Sequence, residues 1–192
     1  MFSSFIKSFK QYRLHESSLS RIWKHSQNRT IGMITAFRGG KEDIVINRKR
    51  NIQLENDIRQ SGFGFIKVKG YSIENIGTSD AIKVEEESFL VISSPDDDGK
   101  LKGFLRKAGQ KYNQDSVLYK EPGKLAILIG TNTNPKADPG LNKEIIAGKW
   151  KPNTIGQFYT RMKGHRTFTF ESVVEPDGVF ALWYKNVLSK RK

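Results

Sequence analysis

The side chains with the most chemistry to offer are acidic and fall in two clusters. Glu85-Glu86-Glu87 precedes an apolar run, and Pro95-Asp-Asp-Asp98-Gly-Lys100 lies between two apolar segments. Carboxylates gathered with a lysine near strand ends are how two-metal nucleases hold their ions. The second cluster superficially resembles the Pro-Asp … acid-x-Lys pattern of restriction-type nucleases. Its acids and lysine share one loop, however, whereas that pattern carries the second acid and the lysine on a later strand. The simpler reading is a solvated turn whose aspartates cap the next helix. Glu85 to Glu87, Asp57 and Asp115 would form an acidic pocket only if the fold brought them together. A metal-dependent nuclease is therefore the alternative reading, and convergence of these carboxylates is its test.

Other catalytic patterns are missing. His15, His25 and His165 stand far apart, with no H-x-x-x-H spacing for a metal and no G-x-S-x-G elbow for a triad. Gly62-Phe-Gly64 lacks the third glycine of a dinucleotide fingerprint and begins a strand; no G-x-x-x-x-G-K-[ST] occurs. With no cysteine, thiolate zinc sites, disulfides and cysteine nucleophiles are excluded. The residues thus assign no catalytic group, no metal ligand and no cofactor.

The basic side chains point elsewhere. The 192 residues carry a net charge of +13, unevenly: one acidic segment, residues 63–98, sits in an otherwise basic chain. Such a charge favours polyanionic partners, nucleic acid first and an acidic protein surface second. The candidate binding groups are Asn47, Arg48, Lys49, Arg50 and Asn51 near a helix start. Lys67 and Lys69 follow Phe63 and Phe65, and Lys163 and Arg166 stand in Lys-Gly-His-Arg-Thr-Phe-Thr-Phe170. Cations interleaved with aromatics suit single-strand binding. Asparagine is a poor helix-interior residue, so the Asn47/Asn51 pair needs a partner: neighbouring loop backbone, or an anion at the helix N-terminus.

The elements that must position these groups follow from periodicity. Ile31–Phe37 reads as an interior strand. Gly39-Gly40 breaks it, and a helix follows from Ile44 to Gln60, with Asp43 as its cap and Gly62 as its stop. Phe63–Lys69 alternates as a strand, Tyr71–Glu87 reads as a polar connection, and Ser88–Ile92 is a compact strand. Leu101, Phe104, Leu105, Ala108 and Tyr112 have the spacing of an amphipathic helix. Ser116–Tyr119 and Leu125–Gly130 form a hairpin about Pro122-Gly123. Ile145 to Trp150 is a short strand. Ile155, Phe158, Tyr159 and Met162 predict a helix after Pro152, and Thr167–Val174 and Val179–Tyr184 predict a last hairpin.

Near the N-terminus, Phe2, Phe5, Ile6 and Phe9 fit one helical face, and a second short helix puts Leu19, Ile22 and Trp23 inward. The expected fold class is α+β: a single-domain sandwich with a mixed, largely antiparallel sheet and helices packed on it. Residues 1–30 form an N-terminal helical segment, 31–184 the α+β domain and 185–192 a basic tail. No apolar run is long enough to span a bilayer.

Several stretches stand at a familiar spacing: Ile34-Thr-Ala-Phe37, Asn47-Arg-Lys-Arg-Asn51-x-x-Leu54-Glu55, Gly62-Phe-Gly, Glu86-Glu-Ser-Phe-Leu-Val91 and Lys111-Tyr-Asn-Gln-Asp-Ser-Val117. Over most of residues 15–172 the chain resembles a family of uncharacterised tailed-bacteriophage proteins, including cyanophage ones, and more distantly a bacterial domain of unknown function. The resemblance implies a phage origin and a place in the host cytoplasm or the virion, and it implies no reaction. The resulting expectation is a small, basic, non-enzymatic phage accessory protein that binds nucleic acid or another polyanion. Further alternatives are a virion component or an inhibitor of a host protein.

Overall fold

The computed structural model describes residues 19–38, 44–74, 82–97, 99–135, 137, 139–152, 158–161 and 167–171. Three helices are present among them: α1 (Leu19–Asn28), α2 (Ile44–Gln60) and α3 (Lys100–Lys111). The strands are β1 (Ile31–Ile34), β2 (Gly64–Glu74), β3 (Ile82–Ile92), β4 (Ser116–Lys120), β5 (Ala126–Gly130), β6 (Glu144–Pro152), β7 (Phe158–Arg161) and β8 (Thr167–Glu171). They form a closed barrel in the order β1-β3-β2-β7-β8-β6-β5-β4, every neighbouring pair antiparallel. The α+β class and the antiparallel sheet stand as expected. The sandwich is realised as a sheet that closes on itself, because β1 pairs with both β3 and β4.

Two layers of core follow from strand alternation. The barrel interior holds Ile31, Ile66, Val68, Leu90, Ile92 and Phe168, with Ile22 of α1 packed among them. Outside, α2 and α3 cover Ile34, Phe89, Val91, Val117, Tyr119 and Ile129 with Leu54, Ile58, Leu101, Leu105 and Ala108. At Gly32 an added Cβ would stand 2.3 Å from Leu105 Cδ1 and 3.0 Å from Leu118 O, so the glycine leaves the room that the buried Leu105 side chain fills against β1.

Both covering helices stop in the same way. Phe63 N–H bonds Ile58 O and Gly62 N–H bonds Arg59 O, while Gln114 N–H bonds Gly109 O and Asn113 N–H bonds Gln110 O. Gly62 (φ 77°) and Asn113 (φ 55°) are the left-handed residues of these two Schellman ends. At the start of α3, Asp97 Oδ1 accepts the Leu101 N–H at 2.9 Å, as the capping reading of that acidic turn anticipates.

Several expectations are corrected. Residues 158–161 form β7, paired with β2 and β8, where a helix was predicted from the spacing of Ile155, Phe158, Tyr159 and Met162. Only Phe158 and Tyr159 of those four lie in the strand; so short an apolar spacing is weak evidence for a helix, and the sheet pairing decides. Tyr71 to Glu87 is no mere connection: β2 and β3 form one hairpin, eleven residues on each strand. Trp23 is exposed while Ile22 is fully buried. The predicted helix over residues 1–12, the residues Gly39–Asp43 and the last hairpin beyond Glu171 lie outside the described residues.

α1 closes one end of the barrel. Lys120, on β4 beside Ile31, is buried and donates from Nζ to Ser26 O at 2.7 Å and Glu121 O at 3.1 Å. Burial holds its pKa below that of a free lysine. The ammonium thus ties a carbonyl near the C-terminus of α1 to the barrel wall, where positive charge is favoured.

Candidate functional site

The far end of the barrel is built by the long hairpin. Register places Glu86 of β3 opposite Gly70 of β2, Gly70 opposite Thr160 of β7, and Thr160 opposite Phe168 of β8. By alternation from Leu90 and Ser88, Glu86 is on the interior face, and it is half-buried. Thr160 and Phe168 are buried, with Thr160 Oγ1 3.7 Å from Met33 Sδ. This row therefore presents a carboxylate, a residue without a side chain, a hydroxyl and an aromatic ring, above a floor of Met33, Val68 and Leu90. Barrel mouths are a recurrent place for small-molecule sites.

Glu87, Asp57 and Asp115 do not join Glu86. Glu87 pairs with Lys69 on the outer face. Asp57 lies between α2 and α3, and its Oδ2 accepts from Tyr112 Oη at 2.7 Å and Lys111 Nζ at 2.6 Å. Burial, then this bond to Asp57, pushes the Tyr112 phenol up to about 12. Asp115 Oδ1 accepts from Asn132 Nδ2 at 2.9 Å. Among the described residues no group of three His, Cys, Asp or Glu could hold a metal ion, so the carboxylate convergence that a nuclease needs is not found there. Asp57, Gln60, Ser61, Phe104, Lys107, Ala108 and Lys111 line a shallow groove of about 250 Å³. Its carboxylate is already occupied by two donors.

The residues singled out by sequence as anion-binding fall into three groups. Asn47, Arg50 and Asn51 turn inward, onto the segment that leaves β1. Asn47 accepts from Arg38 N–H at 2.9 Å and donates to Arg38 O at 3.1 Å. Asn51 accepts from Ala36 N–H at 2.8 Å and donates to Glu87 O at 2.7 Å. Arg50 Nε donates to Ala36 O at 2.7 Å, and its Nη2 reaches Tyr112 O. The loop-backbone reading of the two asparagines is thus what the hydrogen bonds show. Arg48, Lys49, Lys67 and Lys69 are exposed on two different elements. Lys67 pairs with Glu55 at 2.6 Å. Burial alone would raise the Glu55 carboxyl, but its bonds to Lys67 and Arg59 outweigh that and hold it low. Lys163 and Arg166 lie outside the described residues.

Sequence reasoning had Glu86 only as one of three acids, and it missed Gly70 and Thr160. Their association depends on strand register across β3, β2 and β7, which no local pattern carries once β7 is taken for a helix.

A family profile described as the S-adenosylmethionine lyase family matches residues 32–173, from within β1 to just past β8. A solved structure, a phage SAM lyase in complex with S-methyl-5'-thioadenosine, is similar at 19% identity and a TM-score of 0.34; the match covers 53% of this chain and 88% of that one. No curated protein sequence matches. The profile match overturns three expectations. The family is one of lyases and not one of unknown function. A non-enzymatic accessory role gives way to an enzyme family. The assignment of nucleic acid, or another polyanion, as the partner falls as well. Its physical basis was net charge, which acts at long range on any anion and identifies no ligand. Three of those groups, Asn47, Arg50 and Asn51, are moreover occupied by backbone carbonyls and amides.

Proposed function

The chain belongs to the S-adenosylmethionine lyase family, and we propose that it cleaves S-adenosylmethionine at the barrel mouth, without water as a reactant. The profile match across nearly the whole barrel is the observation that carries this reading. The substrate brings its own leaving group: when a carbon–sulfur bond of the sulfonium breaks, the electron pair goes to sulfur and a neutral thioether departs. Breaking the bond to the four-carbon amino-acid arm releases 5'-methylthioadenosine. The arm's own carboxylate oxygen can form the new bond to the same carbon, closing a five-membered lactone. Atoms and charge balance with no added nucleophile and no proton transfer.

The row at the mouth supports this chemistry. Attack of a carboxylate on a sulfonium cancels two charges, so it is hindered by water, which stabilises both, and helped by low-polarity surroundings. Met33, Val68, Leu90 and Phe168 supply such surroundings. Glu86 is the carboxylate on that face, and we assign it to the substrate's α-ammonium, whose charge survives the reaction. A carboxylate held against the sulfonium would stabilise the reactant more than the transition state and slow the step. The sequence resemblance to tailed-phage proteins supports a phage origin and action in the host cytoplasm.

The test is incubation of purified protein with S-adenosylmethionine in ¹⁸O-water, with products read by mass spectrometry. Methylthioadenosine and an unlabelled lactone are expected. Primary hydrolysis would place label in the four-carbon product as it forms, elimination would give an unsaturated amino acid, and absence of methylthioadenosine would dispose of the reading.

A further inference from the structure

We propose that Asn51 and Thr35 are positioning residues for Glu86, an inference that rests on the lyase reading above. β1 stops at Ile34, opposite Phe89, so β3 runs on past its neighbour toward the mouth. On the side that β1 has vacated, the Glu87 carbonyl would be left without a strand partner. Two side chains take its place. Thr35 Oγ1 and Asn51 Nδ2 both donate to Glu87 O, each at 2.7 Å. A carbonyl has two lone pairs, and here both are used.

The peptide they hold joins Glu87 to Ser88, the residues that follow Glu86. Thr35 and Asn51 are themselves fixed: Thr35 Oγ1 accepts the Phe37 N–H at 3.0 Å, and Asn51 Oδ1 accepts the Ala36 N–H at 2.8 Å. Asn51 is buried on α2, whose Leu54 and Ile58 anchor it in the outer core. The helix thereby sets the height of the β3 backbone exactly where the strand ladder no longer does so.

Asn47 provides an internal comparison. One turn earlier on the same helix, and equally buried at 4% exposure, it spends both amide groups on Arg38 and none on β3. If these asparagines served only to satisfy the 35–38 backbone, the two would be equivalent. Only Asn51 reaches the strand that carries Glu86.

The experiment compares Asn51→Ala, Thr35→Val, Thr35→Ser and Asn47→Ala in the full chain. Melting temperature is measured, and kcat and KM for S-adenosylmethionine cleavage are determined well below the transition. Asn51→Ala and Thr35→Val are expected to lower kcat/KM by about tenfold or more, since misplacing by about 1 Å a group that orients the substrate costs up to about a hundredfold. Thr35→Ser keeps the donor and should retain activity. Asn47→Ala should lose as much melting temperature as Asn51→Ala yet stay within about twofold of wild-type kcat/KM. Equal activity losses in Asn47→Ala and Asn51→Ala would overturn the positioning role while leaving the lyase reading intact. A wild-type chain that fails to cleave S-adenosylmethionine would remove the reading and the proposal with it.

Discussion

Gly130 and Gly140 touch backbone to backbone: a Cβ built on Gly130 would stand 1.7 Å from the carbonyl oxygen of Gly140 and 2.5 Å from its carbonyl carbon. The contact is held by hydrogen bonds on both sides, Gly130 N–H to Lys143 O at 2.8 Å and Asn142 N–H to Gly130 O at 2.9 Å. It seats the chain at Gly140 against the end of β5. Gly130→Ala therefore cannot be relieved by a side-chain rotation and must move main chain. We expect a loss of about 3 kcal/mol or more, at the upper end for overpacking, read as a fall in the urea midpoint. Gly123→Ala, with open space around it and only a positive φ to strain it, should cost less.

Glu86→Gln keeps the shape of the side chain and removes its charge. If Glu86 holds the substrate's ammonium, KM should rise by about tenfold or more, the scale of a hydrogen bond to a charged group. The fall in melting temperature should be small beside the change in KM, since the side chain is only half-buried. A changed kcat with unchanged KM would reassign Glu86 to the chemical step.

Lys120→Met removes the ammonium that ties α1 to β4. Ser26 O is then left without that partner in a fully buried setting, at a cost of about 1–3 kcal/mol. Amide exchange should accelerate in α1 before it does in β3 or α3. A uniform acceleration across the barrel would count against α1 as a separable plug.

Acid should act partly through Glu144. Its bonds to Lys102 and Arg106 hold the carboxyl below the usual carboxylate range, against the opposing effect of burial. A depressed folded-state pKa contributes stability above the unfolded value, and that contribution disappears as pH falls through the folded one. The groups are about one-third exposed, so the gain is at most about 1 kcal/mol. Glu144→Gln should flatten the fall in urea midpoint between neutral and acidic pH, without altering its value at the acid end.

How much of this could be read from sequence depends on whether a feature is local. The stop of α2 at Gly62, the amphipathic stripe from Leu101 to Ala108 and the β4–β5 hairpin are short-range, and residue type marks them. The purpose of Asn47 and Asn51 was half legible: a polar pair on a buried helix face demands backbone partners, but which backbone is a tertiary matter. Glu86, Gly70 and Thr160 were not legible as a set. They come together from three strands, and a one-residue slip in any of them would turn its side chain to the opposite face. Net charge misled because it is a property of the whole surface and identifies no ligand at any one place on it.

Closure of the barrel has a consequence for synthesis. β1 is made first among the strands, yet its ring is complete only when β6, β7 and β8 have been added, and β8 reaches to Glu171. While translation is under way, β2 and β3 can pair with each other as soon as they emerge, but an incomplete sheet exposes unpaired strand edges. Nascent chains stalled before Thr167 should therefore be prone to aggregate and to be cut by protease, and resistance should appear abruptly once the last strand can enter the ring.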